Sequence, residues 1–144
     1  MRLILLLTLA SCGPAAMNSE VTEMTSLAQT GAHRSWAGEA APHQSAGPHA
    51  TVRTFANELL ITSLRAGSDT HPNGSIAIKE LSDGEKRTGY AIDWKGDDGE
   101  WRFFEGFEPA LNEYFYKGTD NGCAGCHRPG KDFFLTPVSA LKDP

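Results

Sequence analysis

The chain has 144 residues, enough for one small domain with a core of its own and too few for two. A hydrophobic fraction of 40% with 15 glycines and 8 prolines points to many turns and argues against a coiled coil or long-helix bundle. The net charge of −5 leaves no basic surface to neutralise phosphates, so nucleic acid is not an expected partner.

Arg2 followed by the apolar run 3–9 predicts an export signal, because the run is far too short to span a bilayer. Leu9-Ala10-Ser11-Cys12 is similar to the lipobox of bacterial lipoproteins. On that reading residues 1–11 are removed and the Cys12 thiol carries a lipid that anchors the chain to a membrane; the alternative is an ordinary signal peptide cut near Ala15 or Ala16. Both readings place the protein in the periplasm or cell envelope. Residues 12–50, rich in Ala, Gly, Ser, Pro, His and Thr, read as a polar tether. A short helix capped by Ser19, with Val21, Met24 and Leu27 along it, interrupts the tether, and Trp36 is a second docking point. His33, His43 and His49 are expected to be solvated there.

The domain proper is expected over 51–144. Residues 51–56 are β-branched and aromatic enough for a strand, and Asn57 can cap a helix bearing Leu59, Leu60, Ile61 and Leu64 that Gly67 ends. After the turn His71-Pro72-Asn73-Gly74, the segments 75–81, 87–94 and 100–104 alternate with short hairpin loops. The fold class is therefore α+β: an antiparallel meander with a few short helices. Ile76 and Ile78 share one face of their strand while Ser75, Ala77 and Lys79 take the other, which predicts one core face and one mixed face.

The chemistry lies near the C-terminus, in Cys123-Ala124-Gly125-Cys126-His127. Two thiols with two residues between them can add to the two vinyl groups of one haem, and the adjacent histidine then reaches the iron. This predicts one covalent haem c per chain, held by Cys123 and Cys126, with His127 as the metal ligand. The alternatives are a zinc site, for which no second cysteine pair exists, and a redox dithiol, which would sit after an early strand of a βαβ unit. All three methionines, Met1, Met17 and Met24, precede the motif, which argues against a methionine as sixth ligand downstream of it. Phe55, Phe103, Phe104, Phe107, Tyr114, Phe115 and Tyr116 serve as pocket wall or as plain core.

Val52-Arg53 with Asn57, Pro72-Asn73-Gly74-Ser75-Ile76-Ala77-Ile78-Lys79-Glu80, Gly89-Tyr90, Trp101-Arg102-Phe103-Phe104 and Cys123 to His127 with Asp132 resemble the cytochrome P-460 family and the related β-sheet cytochromes c′. The resemblance spans about residues 50–140. It implies an antiparallel sheet, a five-coordinate haem with an open distal face, and either hydroxylamine oxidation or binding of nitric oxide and carbon monoxide. It also implies that Lys79 matches a lysine cross-linked to the porphyrin in the oxidising members, and that Arg53 matches a distal-pocket arginine. For Lys79 the alternative is a solvated strand residue beside Glu80; for Arg53 it is a surface ion pair. Glu105 and Asp93 are the candidate acids for proton transfer. The expected partners are a small-molecule ligand and a redox protein, with a homodimer left open. The competing reading is an electron carrier in which His71 or a tail histidine closes the sixth position, and a zinc-binding lipoprotein is the third.

Overall fold

The computed structural model describes residues 14–108 and 112–144; the segment expected to be an export signal and Cys12 lie outside them. The fold is α+β, built on an antiparallel sheet. Strands β3 (Thr51–Ala56), β4 (Ile76–Asp83), β5 (Lys86–Lys95), β6 (Trp101–Phe107) and β7 (Asn112–Lys117) form a meander in chain order. Beyond β3 the sheet is extended by β1 (Ala37–Glu39) and β8 (Leu141–Lys142), while β2 (His43–Gln44) pairs with the other end of β3.

Local chemistry accounts for much of this. Asn57 caps α2 (Glu58–Arg65) by accepting from the Leu60 N–H at 3.0 Å, and the same oxygen accepts from the Ile76 N–H at 3.1 Å. One side chain therefore ties the start of the helix to the start of β4. Gly67 follows the helix at φ 70°, a left-handed backbone that glycine adopts without a Cβ clash.

The segment expected to be a tether is part of the fold. Helix α1 (Pro14–Thr30) lies on one sheet face, a 3-10 turn spans Ala32–Ser35, and β1 pairs with both β3 and β8. Met24, Ala28 and His33 are buried. The apolar residues of this segment are few, but at helical spacing they need only a surface to lie on, and the sheet supplies it. Ile78, Tyr90, Ile92 and Phe104 form that surface. Arg102 adds a fastening, with its guanidinium on Glu20 of α1 at 2.8 Å and on Asp98 at 2.7 Å. Among the described residues no helix is long and apolar enough to cross a membrane.

The opposite face is buried as well. Ala56 and Ala77 pack with Leu60 and Ile61 of α2, with Phe134 and with Leu141. Both faces of β4 are thus covered, where one mixed face was expected, because α1 occupies the side of Ile78 and α2 with the C-terminal segment occupies the side of Ala77. The aromatic run Tyr114-Phe115-Tyr116, expected as wall or core, forms the edge strand β7, with Tyr114 and Tyr116 exposed.

Candidate functional site

The motif sits on α3 (Gly122–His127), which Asn121 caps by accepting from the Ala124 N–H at 2.9 Å. Positions three and four apart share a helix face, so Cys123, Cys126 and His127 project together. Both cysteines are free thiols; Cys126 is exposed, Cys123 half-buried and His127 buried. Burial pushes the Cys123 thiol above its ordinary pKa, with the Asp93 and Glu105 charges adding to it. That is the opposite of what a reactive dithiol needs. Among the described residues no group of three or more His, Cys, Asp or Glu side chains is placed to hold a metal ion on its own.

His127 is fixed from both ends. Its Nδ1 donates to the Phe133 carbonyl at 3.0 Å, which leaves Nε2 as the lone-pair nitrogen. Lys79 Nζ lies 3.2 Å from that Nε2 and donates to Asp93 Oδ2 at 3.1 Å, while Asp93 Oδ2 is 3.4 Å from His127 Nδ1. Burial lowers the His127 pKa; Asp93 pulls it back up and Lys79 pushes it further down. The ring is therefore neutral near pH 7 and competent as a ligand. Lys79 is 8% exposed, which removes the solvated-strand alternative for it.

The sheet explains why these groups meet. Thr54, Lys79, Ala91 and Glu105 are register partners across β3, β4, β5 and β6, so their side chains share one face. Asp93 is two residues along β5 on that same face. A cavity of about 530 Å³ opens there, bounded by Lys79, Cys126 and His127 and by Val52, Leu135 and Pro137. A smaller one of about 130 Å³ lies against Cys123, Asp93, Phe103 and Glu105. Pro48 and His49 border both. Two thiols on one helix face and an imidazole whose Nε2 meets only Lys79 among the described residues, beside a largely apolar cavity of ligand size, fit a covalently attached haem.

The expected residues do not all converge. Arg53 is a register partner of Glu80, one residue off the row of Lys79, so it lies on the opposite face of the sheet. Its Nε donates to the Glu39 carbonyl at 2.8 Å and its guanidinium stands 4.8 Å over the Phe55 ring, so it is not a pocket residue. His71 is buried with both ring nitrogens engaged, Nδ1 on the Ser63 hydroxyl at 2.9 Å and Nε2 on the Lys131 carbonyl at 3.2 Å. It borders neither cavity at His127 and has no nitrogen left for a sixth ligand.

The three tail histidines part company. His33 is buried on the α1 side, where Phe55 and Tyr90 meet it edge-on, and its Nε2 pairs with Glu80 at 2.9 Å. His43, the exposed one, pairs with Glu39 at 2.9 Å. His49 reaches Glu105 Oε1 through Nδ1 at 2.9 Å, and nothing local in the sequence marked it. Compared with known proteins, the chain matches no family model and no curated sequence.

Proposed function

We propose that the chain is an exported, lipid-anchored, mono-haem c-type cytochrome that binds or oxidises small nitrogen ligands such as hydroxylamine or nitric oxide. The haem would be held by Cys123 and Cys126, with His127 Nε2 on the iron and an open distal position. When bound, it would supply a one-electron redox centre and a coordination site for the ligand. The observation that carries this reading is the pairing of the two thiols with a neutral, oriented His127 that lines a cavity of about 530 Å³.

The chain's own side chains supply the rest. Phe103 stands edge-on to the His127 ring at 5.5 Å and walls the smaller cavity, while Val52 and Leu135 supply apolar wall to the larger one, which limits water. Asp93 Oδ2 accepts from Lys79 Nζ and keeps that nitrogen beside His127. Glu105, braced by His49, borders the smaller cavity and offers a carboxylate to accept a proton there. Arg53 has no part in this reading. An electron carrier with a closed sixth position is the competing reading, and His49 rather than His71 favours it, because His49 borders both cavities.

The test is expression in a host with cytochrome c maturation. Haem should survive acid-acetone extraction, and ferrous protein should bind carbon monoxide or nitric oxide promptly. Haem that extracts completely overturns the proposal, and a low-spin spectrum in both oxidation states favours the electron carrier. An intact mass showing a third covalent link, lost in Lys79→Ala, identifies the oxidising variety.

A further inference from the structure

The tight turn after α3 has an unusual backbone. Lys131 N–H donates to the Phe134 carbonyl at 3.0 Å and Phe134 N–H to the Lys131 carbonyl at 2.9 Å, closing a two-residue loop. Its central residues, Asp132 and Phe133, have φ of 44° and 67°. Positive φ at both positions defines a turn that normally takes Asn-Gly, and a bulky side chain there is a costly choice. Strain of this kind persists only where the surroundings over-determine it, and it clusters at functional sites.

Asp132 supplies the over-determination. Its Oδ2 accepts from Lys95 Nζ at 2.7 Å and from the His71 N–H at 2.7 Å, and its Oδ1 accepts from Trp101 Nε1 at 3.0 Å. These partners come from β5, β6 and the loop before β4, so the turn is locked to the sheet from three directions. Gly130 lets the turn close: a Cβ there would lie 2.4 Å from the Phe134 carbonyl oxygen. What the locked turn presents is the Phe133 carbonyl, 3.0 Å from His127 Nδ1. The Phe133 ring packs 6.4 Å from Phe103, which is itself edge-on to His127.

We infer that Asp132 is the positioning residue for His127, holding the strained Asp132-Phe133 turn so that the Phe133 carbonyl fixes which imidazole nitrogen faces the cavity and how strongly it donates. The inference rests on the haem reading above. A ligating histidine whose other nitrogen donates a firm hydrogen bond is a stronger donor to the metal and favours its oxidised state. Asp132 therefore acts on the iron through two intermediaries and touches neither haem nor ligand.

Three haem-loaded proteins decide it: the full-length chain, Asp132→Ala and Asp132→Asn. In Asp132→Ala the iron–histidine stretch of the ferrous protein should fall, and the reduction potential should rise. Asp132→Asn keeps one acceptor oxygen and a residue at ease with positive φ, so it should shift the same way by a smaller amount. An Asp132→Ala protein with a lower melting temperature but the parent's stretch and potential would mean that Asp132 is only a structural staple, and overturns the inference. If Asp132→Ala does not fold, Asp132→Asn decides alone, and no shift in it overturns the inference. In the haem-free chains, nitrogen NMR of the His127 ring should show the Nδ1–H form in the parent and a mixture in Asp132→Ala. That readout separates the two proposals, because a parent that takes up no haem sinks the haem reading while the tautomer still tests Asp132.

Discussion

Glu80 offers the sharpest test of how the N-terminal segment is held. Its Oε1 accepts from His33 Nε2 at 2.9 Å and from Arg34 Nε at 2.8 Å, and the carboxylate is only 14% exposed. Burial pushes its pKa up, but the hydrogen bonds from His33 and Arg34, with the Arg34 charge, outweigh this and hold it at about 2, against an ordinary 4.5. The folded state thus favours the charged form by roughly 3 kcal/mol. Because the folded pKa is depressed, that stability is present above pH 4.5 and is lost as pH falls toward 2. At pH 3 roughly 1.5 kcal/mol should remain. Replacing Glu80 with Gln removes the charge and leaves one acceptor oxygen, so about 3 kcal/mol is the ceiling of the loss at pH 7. Urea unfolding followed by tryptophan fluorescence should show Glu80→Gln destabilised by about 2 to 3 kcal/mol at pH 7, with the gap at least halved at pH 3. Amide exchange should speed up over residues 31–36. A gap below about 0.5 kcal/mol at pH 7, or one that does not change with pH, would refute the account.

Asn57→Ala loses two accepted bonds, from Leu60 and Ile76, and a donated one to the Gly74 carbonyl at 2.8 Å; about 2 kcal/mol of stability should go, read as a lower urea midpoint. Lys79→Met in haem-free protein leaves Asp93 buried and unpaired and should cost about 3 kcal/mol, most of it restored by adding Asp93→Asn. Gly130→Ala forces a Cβ onto backbone 2.4 Å away and should lower stability by about 1 to 3 kcal/mol by calorimetry; a variant as stable as the parent would show that the turn moves freely.

What the sequence showed was what depends on near neighbours. Strand 51–56, the Asn57 cap, Gly67 and the hairpins came from residue types, turn loops and cap chemistry acting within a few residues, and the structure has them there. The Cys123-Ala124-Gly125-Cys126-His127 motif was legible because its spacing is contained in five residues, and the structure puts it on one short helix. The N-terminal segment was not, because its signal depends on distant partners: His33 reads as a solvated histidine until Glu80, 47 residues on, is placed beside it. Arg53 failed for a related reason. A match of residue type does not say which face of the sheet a side chain takes, and the β3–β4 register puts Arg53 beside Glu80 and Thr54 beside Lys79. Asp132 and Phe133 had no readable turn signal, since Asp accepts left-handed backbone but Phe133 stands where such a turn normally has Gly.

Lys79 and Glu80 are consecutive, yet one points at His127 and the other holds His33 and Arg34. β4 therefore divides the molecule: its odd positions from 77 to 81 line the cavity side and its even ones the α1 side. A one-residue slip between β3 and β4 would exchange the two sets, sending a lysine into the α1 core and a carboxylate into the cavity. The register must therefore be pinned close to this stretch. The irregularity between Leu81 and Ser82 belongs to the β4–β5 ladder and so does not set the β3–β4 register. Asn57 can set it, because its Oδ1 binds the Leu60 and Ile76 N–H groups at once and leaves β4 a single starting point. The cavity at Lys79 and the docking of the N-terminal segment at Glu80 are thus set by one side chain that belongs to neither.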